Sequence, residues 1–139
     1  MQRLNGRWAK IAVVQDPATS AADVVDRYTD ELYHRRNLGA IDELVADPMV
    51  RHEPEGQRVV LTREQVRDRI EAFHLQFRSM RFVNRMVVEE GGRVASAYEA
   101  DLVAHDGEVH TICGVEIFVV EDGRIVEVWN PPAGDGSWG

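Results

Sequence analysis

Three dipeptides govern what the second half of this chain can become: Gly91-Gly92, Asp106-Gly107 and Asp122-Gly123. Each tolerates the positive φ that a tight hairpin turn demands. Between them, from Arg78 onward, apolar and polar residues alternate with period two, which predicts strands near 80–90, 93–104, 108–120 and 124–130. Strands joined in sequence by tight turns form an antiparallel meander, since parallel neighbours need long crossovers.

The first half follows a helical period. Ser20 with Asp23 three residues on resembles a capping box, and Val24, Val25, Tyr28 and Leu32 make an apolar stripe behind it. Arg35 and Arg36 suit the carboxyl end of that helix, where the dipole favours cations. A second helix is expected over 38–46, with Leu38, Ile41, Leu44 and Val45, and Asp47-Pro48 ends it. A short strand near Met49–Glu53, a turn at Pro54 and Gly56, and an extended Val59-Val60-Leu61 follow. Thr62 and Gln65 form a second capping box, for a third helix with the stripe Val66, Ile70, Phe73 and Phe77.

Helices first and strands second is an α+β order. The expected architecture is three helices packed in the concave face of a curved antiparallel sheet, with a pocket between them that suits a small apolar ligand. With 139 residues, one domain is expected. Its divisions are an arm over 1–17, the domain over 18–132 and an irregular tail over 133–139. Trp8 and the run Ile11–Val14 dock the arm on the body or on a second subunit, or the arm frays.

A net charge of −8, spread along the chain, argues against nucleic acid as a partner. No apolar run is long enough to span a membrane, and Ile11-Ala12-Val13-Val14 is too short for a signal-peptide core, so a cytoplasmic protein is expected. Cys113 is the sole cysteine, which excludes an intrachain disulfide and a cysteine metal cluster. No two histidines have the spacing of a metal site, and neither a glycine-rich phosphate loop nor a Gly-x-Ser-x-Gly elbow occurs. The one lysine, Lys10, lies in the arm. Neither a metal nor an organic cofactor is expected.

Glu116 is the residue that breaks the pattern. It interrupts the apolar run from Thr111 to Val120, and alternation places it on one face with Ile112, Gly114 and Phe118. Burial there raises a carboxyl pKa, and a neutral acid in an apolar site donates a strong hydrogen bond. The alternatives are a sheet edge open to solvent or an arginine partner. Glu53, before Pro54 at a strand end, is a candidate general base if it points inward and otherwise a solvated glutamate. Tyr28, on the first apolar stripe, needs a partner for its hydroxyl, either a ligand or a backbone carbonyl. His52 neighbours Glu53, and His110 shares the face of Glu116 six residues away. Asn84, Tyr98 and Asn130 sit in apolar strands and face either a pocket or solvent. His34 and His105 are expected at the surface and His74 partly buried.

The stretch Glu116-Ile117-Phe118-Val119-Val120-Glu121-Asp122-Gly123-Arg124-Ile125-Val126-Glu127-Val128-Trp129 resembles the closing hairpin of the nuclear transport factor 2-like superfamily. It is especially similar to the polyketide-cyclase (SnoaL-like) and ketosteroid-isomerase branches. Val24-Val25-Asp26-Arg27-Tyr28 and His52-Glu53-Pro54-Glu55-Gly56 resemble their amino-terminal half, so the likeness covers about residues 18 to 132. The isomerase branch implies an oxyanion hole from Tyr28 and a protonated Glu116, with Glu53 shuttling the proton; a carboxylic acid kept neutral in that enzyme is a standard example of pKa tuning. Both acids are glutamate here where that branch has aspartate, and the segment between Tyr28 and Glu53 is about one residue longer. Asn130 follows Trp129 where cyclases usually carry an aspartate.

The resemblance thus implies a cofactor-independent isomerase or lyase on a small apolar cyclic or aromatic molecule, aldol and retro-aldol chemistry included. Glu53, Tyr28 and Glu116 would be catalytic, and His52, Asn84, Tyr98, His110 and Asn130 would bind substrate. A polyketide cyclase or dehydratase is the alternative, and a non-catalytic ligand-binding or dimerisation module the next. A homodimer through the open sheet face is also implied.

Overall fold

The computed structural model describes residues 19–139, so the expected arm over 1–17 lies outside the described residues. Helix α1 (Ala21–Thr29) starts at the Ser20–Asp23 capping box, in which each side chain bonds the other residue's backbone N–H. It continues into one π-helical turn, Asp30–His34, and a short 3₁₀ turn at Leu38–Ala40 leads to α2 (Ile41–Leu44). Strand β1 (Val45–Glu53) and strand β2 (Gln57–Leu61) form a hairpin, and α3 (Arg63–Gln76) begins at the Thr62–Gln65 capping box. The meander follows as β3 (Ser79–Glu90), β4 (Arg93–Val103), β5 (Val109–Glu121) and β6 (Arg124–Trp129), and the tail adds β7 (Gly134–Asp135).

Two of the expected boundaries are corrected. The second helix stops at Leu44 rather than 46, because Val45 is already paired with Ile125 as the first residue of β1. A β-branched residue gains more from that buried pairing than from one more helical turn. The strand therefore runs through Asp47-Pro48, whose cis peptide lies in a bulge between Val45 and Val50. The tail was expected to be irregular, yet Gly134 and Asp135 pair with Cys113 and Ile112. Strand β6 is short and covers β5 only from Ile117 onward, so the same edge of β5 stays free lower down for β7.

The sheet order is β2-β1-β6-β5-β4-β3, with β7 on β5. All pairs are antiparallel except β1 with β6, which makes the seven-stranded sheet mixed rather than wholly antiparallel. It curves round the helices as a cone-like α+β fold. Val24, Val25 and Leu32 from the first helical stretch, Ile41 and Leu44 from α2, and Val66 and Ile70 from α3 pack on Met49, Val94, Phe118, Ile125 and Val128 of the sheet. A second cluster, Met80, Ala100 and Leu102, meets Tyr33, Phe73, Phe77 and Phe82 at the other end. His74 is fully buried between them and donates from Nε2 to the Leu32 carbonyl in the π turn at 2.6 Å. The core is thus dense over β1 and β6 and aromatic-walled over β3 to β5, and the aromatic cluster lines one side of a cavity.

Candidate active site

The cavity has a volume of about 640 Å³, within the range of roughly 300–1,000 Å³ usual for small-molecule sites. Tyr28 and Tyr33 come from the first helical stretch, Arg51 and Glu53 from β1, and Tyr98 and Glu116 from β4 and β5. Phe73, Phe82 and Ile112 give it an apolar lining. The β1–β2 turn and the segment Asn130–Ala133 frame its mouth. β7 and the Trp138 indole, which donates to the Tyr98 carbonyl at 2.9 Å, strap the tail down behind that segment.

Glu116 lies on the inner face of β5, where Ser96 is its neighbour across β4 and Phe118 the next inward residue. Asn130 Nδ2 donates to its Oε2 at 2.8 Å. Its other oxygen has no hydrogen-bond partner among the described residues. Desolvation pushes the Glu116 carboxyl up to about 7, and the Arg51 guanidinium opposes only part of that rise. At neutral pH both protonation states are populated.

Glu53 faces the same cavity from β1 with the opposite electrostatics. Arg69 Nη1 donates to its Oε2 at 2.9 Å and Arg51 Nε to the same oxygen at 3.4 Å. The Arg69 hydrogen bond, aided by the charges of both arginines, holds the Glu53 carboxyl below the ordinary carboxylate range against partial desolvation. It is an ionised group with two cations on it.

Tyr28 is buried, with its hydroxyl 3.5 Å from that of Tyr33, and desolvation raises the pKa of both phenols. Tyr98 lies across Gly114, its cross-strand partner. A Cβ at Gly114 would stand 2.8 Å from the Tyr98 hydroxyl, so this glycine is the space in which the tyrosine lies. Desolvation pushes the Tyr98 phenol up to about 12, keeping it a neutral donor.

Of the expected site residues, the structure brings Tyr28, Glu53, Tyr98, Glu116 and Asn130 to one cavity. It does not bring His52, Asn84 or His110 there. Alternation along β1 turns His52 to the outer face, where it stacks on Trp129 at 3.5 Å and bonds Glu127. Asn84 accepts from the Ser96 hydroxyl at 2.6 Å and borders a separate groove between β3 and the first helical stretch. His110 shares the face of Glu116 but lies at the exposed start of β5, 3.9 Å from Glu108. Arg51 and Tyr33 were not singled out from the sequence. The signal for Arg51 was available, since it alternates with Glu53 and must share its face. Tyr33 carried none, because it depends on the π turn that rotates the helix end. Among the described residues no group of three or more His, Cys, Asp or Glu could hold a metal ion, and no helix is long and apolar enough to cross a membrane.

A helix-filled, cone-shaped sheet of this order is the fold of nuclear transport factor 2-like proteins. Within that class the SnoaL-like domain matches residues 25–128, and the chain belongs to this family. A SnoaL-like polyketide cyclase from Agrobacterium tumefaciens superposes with a TM-score of 0.68 at 16% identity, covering 84% of this chain and 91% of that one. An LEH-like epoxide hydrolase of M. tuberculosis gives 0.68 at 15% identity, over 83% and 84%. An NTF2-like protein of unknown function from Burkholderia pseudomallei gives 0.67 at 19% identity, over 84% and 90%. At these identities the likeness establishes the fold alone. No curated protein matches the sequence.

Proposed function

We propose that this protein is a cofactor-independent enzyme that moves a proton on a small, largely apolar cyclic or aromatic carbonyl compound, with Glu116 as the proton-transfer group and the Tyr28 and Tyr98 hydroxyls as donors to the developing oxyanion. The observation that carries the reading is the Glu116 carboxyl on the cavity wall, with one oxygen anchored by Asn130 and the other without a hydrogen-bond partner among the described residues. A pKa of about 7 lets one group serve as base when ionised and as acid when protonated. The sequence expectation gave the base role to Glu53. Its arginine partners make it a weak proton acceptor, and in this reading it holds Arg51 in place instead.

An enolate held by two phenols serves isomerisation, aldol cyclisation and retro-aldol cleavage alike, and oxyanion donors are each worth on the order of 3 kcal/mol. Asn130, where cyclases usually carry an aspartate, ranks isomerase and lyase chemistry above cyclisation. The protein is also read as a homodimer through the outer sheet face, where the exposed Met86 and Val88 of β3 and Val115 and Ile117 of β5 flank Ala97 and Ala95 of β4. An apolar stripe across three strands is large for a free surface. Val115→Asp should convert a dimer to a monomer in analytical ultracentrifugation, and a wild-type monomer at micromolar concentration would refute it.

The functional test is α-proton exchange of 2-tetralone in D₂O, followed by NMR. Wild type should accelerate it, with a rate that rises with pH and levels off above about 7, because the carboxylate is the active form. Glu116→Gln should lose roughly 100-fold or more. Catalysed exchange that survives Glu116→Gln, or a panel of cyclic ketones that exchange no faster than in buffer, sinks the proposal.

A further inference from the structure

The back wall of the cavity holds more hydrogen-bond donors than proton transfer at Glu116 uses. Arg51 reaches in from β1 with only 16% of its side chain exposed. Its one hydrogen bond among the described residues is the long Nε contact to Glu53, so both terminal nitrogens of the fork lack a protein acceptor. Beside it the Tyr28 and Tyr33 hydroxyls stand 3.5 Å apart, longer than an ordinary O–H···O hydrogen bond, so each O–H is free to turn to an acceptor on a ligand. A smaller space of about 130 Å³ adjoins the chamber there, walled by Tyr28, Tyr33, Arg51 and Arg69 with Met49 and Ile70.

The charges at this wall do not cancel. Two guanidinium groups face one carboxylate, Glu53, which both of them contact through the same oxygen. Glu55 borders the chamber only at its exposed rim. Glu116 makes no hydrogen bond to Arg51, and when protonated it no longer offsets that cation, which then has only the Glu53 carboxylate it shares with Arg69. A half-buried guanidinium with free N–H groups in a site of low dielectric is costly unless an anion comes to it.

We propose that this wall is a carboxylate-binding subsite, so that the substrate is a cyclic or aromatic acid whose carboxylate accepts from the Arg51 fork and the Tyr33 hydroxyl while its ring lies in the chamber beside Glu116. The planar, two-pronged guanidinium matches a carboxylate in two parallel hydrogen bonds. Two guanidinium groups against one carboxylate leave a single positive charge at this wall, which suits a monoanionic carboxylate better than a dianionic phosphate. Glu53, pinned by Arg69, sets the Arg51 side chain by its Nε and leaves the fork free. The inference rests on the proposed function for the chamber as the substrate site, and it adds the chemical class.

The test is binding of 2-naphthoate against its neutral isostere 2-naphthamide, measured by calorimetry at pH 6, where the naphthoate is ionised and Glu116 largely protonated. Wild type should prefer the naphthoate by roughly tenfold or more. Arg51→Gln should abolish the preference, Arg51→Lys should restore part of it, and Glu116→Gln should keep it. Equal or better binding of the amide by wild type, or a preference that survives Arg51→Gln, overturns the proposal. If Arg51→Gln does not fold, Tyr33→Phe decides, since it removes a donor without touching charge. A naphthoate affinity at least threefold weaker is expected there, and an unchanged one places the carboxylate elsewhere. The readout needs no turnover, so a failed exchange assay with an intact naphthoate preference refutes the proton chemistry alone, and the reverse result refutes the subsite alone.

Discussion

The β5 wall and the β1–α3 wall of the cavity each present a glutamate, and the two walls treat it oppositely. On β5 the carboxyl of Glu116 sits among Tyr98, Phe118 and the meander's buried inner face, with a single amide bonded to it. Burial dominates there and raises its pKa. On β1 the carboxyl of Glu53 meets Arg51 from its own strand and Arg69 from α3. Hydrogen bonding and charge dominate there and lower it. The same side chain thus becomes a proton carrier in one place and a fixed anion in the other. The difference lies in which element packs over it, an apolar face or an arginine-bearing helix.

The sharpest way to break this comparison is to neutralise each acid in turn. Glu116→Gln should cost roughly 100-fold or more in proton transfer. Glu53→Gln should cost about tenfold, and mainly in substrate affinity, because it releases Arg51 rather than removing the base. Reversed magnitudes would return the base role to Glu53 and make Glu116 a donor only.

Stability against pH separates the walls without any substrate. Glu116 has a folded pKa near 7, raised above its unfolded value near 4.5. Its contribution to stability is therefore fully present below 4.5 and is lost as pH rises through 7. At about 1.4 kcal/mol per unit over the rise from 4.5 to about 7, the loss is on the order of 3 kcal/mol. Glu116→Gln should accordingly gain that much on wild type between pH 4.5 and 8 in urea midpoints. Glu53 is depressed, so its contribution is present above the unfolded carboxylate pKa and lost as pH falls through the folded one. Glu53→Gln should be weaker than wild type at pH 7 by less than about 1 kcal/mol, since 28% of the side chain is exposed. Parallel pH profiles for the two variants would show that the walls do not differ.

The β5 wall was far more legible in the sequence than the β1 wall. Hairpin glycines and period-two alternation locate the meander, and a charge inside an apolar run exposes Glu116 by conflict between pattern and chemistry. Tyr98 follows from the same alternation. The β1 wall depends on partners that are distant in the chain. Arg69 meets Glu53 only because α3 folds back over the β1–β2 hairpin, and no local pattern states that. The early end of the second helix has the same cause, as Val45 is claimed by Ile125 eighty residues on. The tail strand is also non-local, since its place on β5 exists only because β6 is short. His52 shows a signal left unused: alternation with Arg51 and Glu53 already turns it to the outer face.

Gly114 offers the smallest and most local test of the β5 wall. It is the position where that wall is thinned to admit the Tyr98 ring, whose Cζ would stand 3.0 Å from an added methyl and whose hydroxyl would be closer still. Gly114→Ala must push the ring off the sheet and into the chamber, because the backbone beneath is held in the β4–β5 ladder. A shift of this kind typically costs about 1–3 kcal/mol. Affinity for bicyclic ligands should fall more than affinity for single rings, because the displaced phenol takes up chamber volume. Gly114→Ala combined with Tyr98→Phe would leave the clash with the ring and remove only the hydroxyl, whereas Gly114→Ala with Tyr98→Leu should recover most of the lost stability. A single Gly114→Ala variant as stable as wild type, with unchanged binding of both ligand sizes, would mean that the phenol is not seated on the glycine, and Tyr98 would lose its place as a fixed donor beside Glu116.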